Sequence, residues 1–372
     1  MQRAMSKIDA CRISLWSRSR LSFGNIRRTL AQKKKQLAEA EALSMGGLNH
    51  DQVKILKGEV YNLMVKGDCM WHQQLWIDWL KSGDMNTNYF HSHTTQRNKR
   101  NFISKLVLED GGILEDENSI GVAMVDYFKK IFTLASPSQF ELILQGIEPK
   151  VTALMNVELT REFTVGKVEK TLKQMKALSA LGPDGMSPIF YKSCWKFIGQ
   201  DMIATSLSVL NSGLMPKNLN HTFISLIPKV KSPEIAKDFR SISLCNVLHK
   251  IISKTIANHL KKLLPKLVSE SQSAFMSDGL ISDNILVAFE TLHHLQLDMS
   301  KAYDRVEWIF IEKVMEKLGF SGNWISLISS CIRSVSFSVL VNGEPHEHFT
   351  PNRGLSQGDL LSPYLFLLCV EG

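Results

Sequence analysis

The chain has 372 residues, 44% of them hydrophobic and 22% charged, with a formal net charge of +8. That apolar content can bury a sizeable core in two or more structural units and excludes a disordered polymer, while the positive balance favours a polyanionic partner without identifying one. Six scattered cysteines form no disulfide framework or Cys-x-x-Cys metal pattern; no apolar run reaches membrane-span length, and residues 364–370 read as a buried helix.

In chain order, residues 1–20 are rich in Arg and Ser with Asp9 as the one acid, a composition that superficially suits an organelle transit peptide, although the start of an internal piece of a longer polyprotein is the better reading. Over residues 26–64 apolar positions recur at helical intervals, Ile26 and Leu30 on one face and Val53, Leu56, Val60 and Leu63 on another. With a break at Gly46-Gly47 this predicts a helical hairpin whose Lys33-Lys34-Lys35 run is a solvated face. Between Trp71 and Arg100, the aromatics Trp71, Trp76, Trp79, Tyr89 and Phe90 mix with Lys81, Arg97, Lys99 and Arg100. Stacking and phosphate contact make Arg97, Lys99 and Arg100 candidate nucleic-acid contacts, and the tryptophans suit a core equally well.

Residues 102–108, followed by Asp110-Gly111-Gly112-Ile113-Leu114, predict a β-hairpin about a glycine turn; residues 119–132 predict an amphipathic helix, and Ser136-Pro137 a closing loop. Thr164 is placed to cap a helix over 164–177, with Val165, Val168, Leu172 and Met175 at helical spacing. Downstream come a strand at 223–227, a basic helix at 247–264 carrying Lys250, Lys254, Lys261 and Lys262, and a helix at 308–318. Residues 335–341, Asn342-Gly343 and 346–350 give the clearest hairpin signal. Without regular β-α-β alternation or tandem repeats, an α+β fold is expected.

Two runs carry the chemistry. Asp298 ends a short apolar stretch in Leu297-Asp298-Met299-Ser300-Lys301-Ala302-Tyr303-Asp304-Arg305-Val306, and its hard oxygen donors suit Mg²⁺. In Gly354-Leu355-Ser356-Gln357-Gly358-Asp359-Leu360-Leu361-Ser362-Pro363, a Gly-flanked Gln can approach a base. Further runs are Trp79-Leu80-Lys81-Ser82-Gly83-Asp84-Met85-Asn86-Thr87-Asn88-Tyr89-Phe90-His91, Gly182-Pro183-Asp184-Gly185, Leu226-Ile227-Pro228-Lys229, Phe239-Arg240-Ser241-Ile242-Ser243-Leu244 and Gln272-Ser273-Ala274-Phe275. In this order and spacing they resemble the reverse transcriptase of plant LINE-type (non-LTR) retrotransposons, a transposable-element RNA-directed DNA polymerase and nucleotidyltransferase.

The resemblance implies a partial right-hand polymerase, fingers and incomplete palm, over residues 164–372. It implies a pre-polymerase hairpin and helical region over 101–163, and a helical connector between endonuclease and polymerase regions over 1–100. The expected reaction is dNTP addition to a DNA primer on an RNA template, with Mg²⁺ as cofactor and RNA, DNA and dNTP as partners. The location expected is nuclear or cytoplasmic, with no membrane. By resemblance Asp298 is the catalytic magnesium ligand, helped by the backbone carbonyl of Met299, and Tyr303 lies beneath the nucleotide sugar. Gln357 and Gly358 complete the dNTP site, while Lys229 and Arg240 face template or triphosphate charge. Asp304 is expected to be structural, and Gly182-Pro183-Asp184-Gly185 a fingers-side turn without a catalytic role. The bland readings are Asp298 as a helix N-cap, Tyr303 as core, Gln357-Gly358 as a plain loop, and Lys229 and Arg240 in surface ion pairs.

Some features depart from the family. Its acid pair, an aromatic residue followed by Ala-Asp-Asp, falls beyond Gly372. The helical stretch 285–294 runs into Leu295-Gln296-Leu297-Asp298 with no room for a typical loop of about four to six residues. Ser241 stands for Pro, Ser277-Asp278-Gly279 for Pro-Gly-Arg, Ser356 for Arg and Leu360 for Pro. The expectation is a truncated, inactive reverse transcriptase product; the alternative is a non-enzymatic basic RNA-binding remnant.

Overall fold

The computed structural model describes residues 2–23, 26–44, 50–74, 96, 100–133, 141, 144–216, 218–268 and 302–371. Gly46-Gly47, Trp76, the run 79–91, Arg97, Lys99, Ser136-Pro137 and everything from Gln272 through Asp298 and Met299 lie outside the described residues. The chain divides into two compact units, Met1–Lys7 with Asn101–Gly372, and Ile8–Arg100.

In the smaller unit, most of α1 (Gln2–Phe23) is followed by α2 (Ile26–Ser44) and α3 (His50–Gln74). Helices α2 and α3 pack together, burying Ile26, Ala40, Leu56 and Val60. Lys33 pairs with Glu59 at 2.7 Å and Lys57 with Glu41 at 2.9 Å, an order that antiparallel partners require. Such exposed pairs stabilise by less than about 1 kcal/mol each, so the apolar seam holds the hairpin. Lys33 is thus half-buried in an ion pair, and Lys34 and Lys35 are exposed.

The larger unit opens with β1 (Leu106–Val107) and β2 (Ile113–Leu114), an antiparallel pair closed by Gly111 at φ +86°. Helix α4 (Glu117–Ile131) starts where Asp116 accepts a 3.0 Å bond from the Ser119 amide; Ile120, Met124, Val125, Phe128 and Ile131 form its buried face. Next come α5 (Ala153–Leu159), α6 (Val165–Gln174), α7 (Pro188–Ser193) and α8 (Trp195–Ser212). After them follow β3 (His221–Pro228), β4 (Phe239–Cys245), α9 (Val247–Leu260) and α10 (Leu264–Leu267). The remainder is α11 (Ala302–Arg305), α12 (Trp308–Leu318), α13 (Gly322–Arg333), β5 (Ser336–Val341), β6 (Glu344–Phe349) and α14 (Ser362–Glu371).

The main sheet has the order β4-β3-β5-β6, with β3 antiparallel to β4 and parallel to β5, and β5 antiparallel to β6. Alternation sets the faces: Thr222, Ile224 and Leu226 of β3 and Phe239, Ser241, Ser243 and Cys245 of β4 point inward. Strand β5 is buried along nearly its whole length, as a central strand should be. Helix α4 covers β5 and β6, where Phe132 packs at 5.0 Å from Phe337 and 6.3 Å from Phe349 between ring centroids.

Helix α9 falls within the basic helix expected over 247–264 and is largely buried. Eleven of its residues are buried, Lys250 among them, and Lys250 Nζ donates to the Ala180 carbonyl at 2.9 Å. The cause is its packing against α6 and α8, which encloses Lys250, whereas Lys254 is half-buried and Lys261 and Lys262, past the helix end, are exposed. Helices α8 and α13 escaped the sequence pattern, as did α5 and α7. Among the described residues no helix is long and apolar enough to cross a membrane.

The β5–β6 turn shows how tertiary contacts exploit a local signal. Asn342 and Gly343 adopt φ +52° and +96°, and the Asn342 amide meets the Ile103 amide at 2.9 Å, the Ile103 carbonyl at 3.1 Å and Glu117 at 2.8 Å. Asn342→Gly keeps the backbone angle but loses these bonds, and should cost about 1–3 kcal/mol in urea unfolding. Asn342→Ala should be worse by about a further 1 kcal/mol; stabilities equal to that of the parent chain would refute the linkage.

Candidate functional site

A cavity of about 190 Å³ forms where three separate segments meet. Lys229, Phe239, Arg240 and Ser241 reach it from the paired ends of β3 and β4, Ala302, Tyr303 and Asp304 from α11, and Gln357 from the turn before α14. Lys229 and Arg240 are exposed. Lys229 Nζ donates to the Lys237 carbonyl at 3.0 Å, a neutral partner that leaves its charge uncompensated. Among the described residues neither Lys229 nor Arg240 forms an ion pair.

Backbone contacts fix the Gln357 turn. The Ser243 amide donates to the Gln357 carbonyl at 2.8 Å, the Leu355 amide to the Tyr303 carbonyl at 2.7 Å, and the Gly354 amide to the Val306 carbonyl at 2.7 Å. Trp308 Nε1 adds a 2.7 Å bond to the Gly354 carbonyl. Two glycines are obligatory. Gly354 has φ +97°, and a Cβ there would lie 2.6 Å from the Phe132 ring; Gly358 has φ +131°, and a Cβ there would lie 2.5 Å from the Ser243 carbonyl oxygen. Close approach at Gly358 is therefore made to β4 of this same chain.

The cavity walls are set by buried pairings. The Tyr303 ring stacks on Phe366 at 4.4 Å and 14°, presenting a half-buried phenol whose pKa burial pushes up. Asp304 is 4% exposed, and Ser241 Oγ donates to its two carboxylate oxygens at 3.2 and 3.0 Å. Ser241, where the resemblance expects Pro, is thus a partner for a buried carboxylate. Beneath the turn, Asp359 lies 3.4 Å from His249 Nε2, and its other oxygen accepts from the Leu361 amide at 3.1 Å. Burial alone would raise the Asp359 pKa, but His249, Ser253 and the Leu361 amide together hold it below the usual 3.8.

Of the expected site residues, Lys229, Arg240, Tyr303 and Gln357 come together around one cavity, with Gly358 directly behind it. Arg100 is exposed and belongs to the smaller unit. Asp298, Met299, Arg97 and Lys99 lie outside the described residues. Among the described residues no three His, Cys, Asp or Glu side chains gather to hold a metal ion, and Asp304 is committed to Ser241. The described donor set therefore does not constitute a magnesium site. Sequence reading missed the support given by His249 to Asp359; the available signal was an acid one position after the Gly358 turn.

Adding a methyl group in either Gly354→Ala or Gly358→Ala should lower stability by about 2 kcal/mol or more, read by chemical denaturation. The Asp359 pairing contributes stability above its unfolded pKa near 3.8 and loses it as pH falls through the lower folded value. Acid titration of stability should show this loss in the parent chain and a shallower slope in Asp359→Asn; parallel slopes would discard the assignment.

Residues 227–372 match the family model described as reverse transcriptase (RNA-dependent DNA polymerase). The transposon TX1 uncharacterized 149 kDa protein of Xenopus laevis is 25% identical over 300 residues, 77% of this chain and 23% of the relative. The retrovirus-related Pol polyprotein from type-2 retrotransposable element R2DM of Drosophila melanogaster is 24% identical over 258 residues, 67% of this chain and 23% of the relative. A Pol polyprotein from type-1 retrotransposable element R2 of Nasonia vitripennis is 26% identical over 211 residues, 52% of this chain and 20% of the relative. The chain thus spans under a quarter of the length of these relatives. The cavity's charged strand ends, tyrosine and glutamine turn all fall inside the matched span, so residues 227–372 are a reverse transcriptase domain, and the longer similarity is to proteins of non-LTR retrotransposons.

Proposed function

We propose that the cavity bordered by β4, α11 and the Gln357 turn receives the incoming dNTP of RNA-directed DNA synthesis. What supports this is the convergence on one 190 Å³ space of Lys229, Arg240, Tyr303 and Gln357, which three separate stretches of sequence supply. Lys229 and Arg240, cationic and without acidic partners among the described residues, hold the triphosphate. The Tyr303 ring, backed by Phe366, forms a rigid floor beneath the sugar and disfavours a 2′-hydroxyl sterically. Gln357, exposed at the tip of a turn fixed through its backbone, meets the base side of the nucleotide.

In the polymer-forming step a primer 3′-hydroxyl attacks the α-phosphate and pyrophosphate leaves. Magnesium, which the family uses, would activate that hydroxyl and neutralise the leaving group; by resemblance Asp298 and the Met299 carbonyl are its ligands from this chain. RNA template and DNA primer are the proposed macromolecular partners, with Arg97, Lys99 and Arg100 as further phosphate contacts. The proposed domain reading keeps residues 164–372 as fingers and part of the palm and residues 1–100 as a connector. The run Trp79 to His91 favours the plant LINE branch.

Equilibrium binding of a fluorescent dNTP to the full chain tests this directly. Lys229→Gln and Arg240→Gln should each weaken binding about ten-fold, the loss expected for one charge-assisted contact. Tyr303→Ala should narrow the preference for dNTP over rNTP. Unchanged affinity in both charge variants would refute the site. Primer extension on an RNA template, with Asp298→Ala as control, reads the chemical step separately.

A further inference from the structure

A second cavity, of about 280 Å³, shares no lining residue with the nucleotide cavity. It opens where the segment between α5 and α6 packs beside the C-terminal end of α9. Arg161, Lys167 and Lys262 line it together with His259, and its acids are Glu158 and Glu162. Three cations therefore face one small space in the same unit.

Two acids offset three cations only in part. Lys262 reaches Glu158 only at 3.8 Å, with both side chains more than half exposed, so solvent weakens that pair. Lys167 Nζ is held by a neutral group, the Glu162 carbonyl, at 3.0 Å, and lies 5.5 Å from the Phe163 ring centre. Burial, Arg161 and Lys262 all push the Lys167 pKa down, in that order of size. The histidine experiences the same field. His259 is stacked on Phe163 at 4.5 Å and 25° and lies parallel to Trp324 at 6.3 Å and 11°, with Nδ1 3.4 Å from the Leu159 carbonyl. Burial and the charges of Lys167 and Lys262 hold it down at about 4, so its imidazole is neutral at pH 7.

With Glu158 and Glu162 on the same rim, the three cations leave the cavity net positive, and a bound anion would relieve the repulsion that remains. We propose that this cavity is a phosphate-binding site in which Arg161, Lys167 and Lys262 engage a phosphate group, free or carried on an RNA backbone. Arg161 supplies a planar fork of donors, the two lysines supply point charges, and His259, backed by the buried Phe163 ring, forms with Leu159 and Leu263 a wall that limits how deep the group enters. The site stands independently of the nucleotide cavity: loss of dNTP binding in Lys229→Gln or Arg240→Gln would leave it untouched.

Proton NMR of the full chain reads it through His259, whose resonance is identified by its disappearance in His259→Gln. A bound phosphate should raise the His259 pKa from about 4 toward its ordinary range, and chloride at matched ionic strength should not. The double variant Lys167→Gln/Lys262→Gln should weaken phosphate binding at least ten-fold, on the scale of one lost charged contact. Because the Lys167 stem packs on Phe163, the exposed Arg161→Gln serves as a second variant. A short oligouridylate tells the sources apart. If it moves the same resonance with higher affinity, and a salt slope falling by about 0.7 per lost contact in the variants, the phosphate is that of an RNA backbone. If only inorganic phosphate acts, it is a free anion. No movement with either probe, or an equal movement with chloride, overturns the proposal.

Discussion

The geometry of the nucleotide cavity depends on a steric constraint: at Gly354 and Gly358 there is no space for a side chain. At Gly358 backbone meets backbone, and at Gly354 the Phe132 ring fills the space. The turn between them is attached to β4 through Ser243 and to the α11 segment through Tyr303 and Val306, so the elements bearing Arg240, Tyr303 and Gln357 cannot shift independently. Exposed Gln357 owes its position to bonds made by the main chain, not to contacts of its own side chain. That separation suits recognition, because the amide remains uncommitted while its base is rigid.

Buried carboxylates then reinforce the frame at some energetic cost. Asp304 and Asp359 lie within the fold, one answered by Ser241 and the other by His249 and the amide of Leu361. A buried acid is costly to strand without partners, so each pairing penalises alternative placements of α11 and the Gln357 turn. Arg353 plays a similar part nearby: it reaches Glu307 at 3.0 Å and the Ile131 carbonyl at 2.7 Å, tying the turn to α4. Polar contacts thus select the arrangement, and the apolar core around Phe132 and Phe337 supplies the stability.

Much of this was legible in residue order. The strand-like stretch 223–227 and the Asn342-Gly343 dipeptide announce their strands and turn locally, and β3, β5 and β6 form there. The cavity's membership was legible only through the resemblance, because no local pattern announces that residues 229, 240, 303 and 357 will meet. Helices α8 and α13 were missed for a different reason. Helix α8 mixes inward Ser206 and Thr205 with its apolar residues, which blurs the stripe that periodicity detects. Nothing in the residue order announced the burial of Lys250, whose ammonium donates to the Ala180 carbonyl inside the fold. The second cavity was likewise unreadable, since its cations come from residues about a hundred positions apart and ordinary helix faces carry such lysines.

The parallel pairing of β3 with β5 brings together residues 115 positions apart, such as His221 and Ser336. A ribosome emits this chain from one end, so the β3–β4 hairpin emerges well before its central neighbour exists. During that interval one edge of β3, lined by Thr222, Ile224 and Leu226, has no strand to complete it. Unsatisfied edges of this kind invite pairing with foreign chains. Productive folding of the nascent polypeptide therefore calls for shielding of that edge by a chaperone, or by the helices already made, until translation has passed Val341.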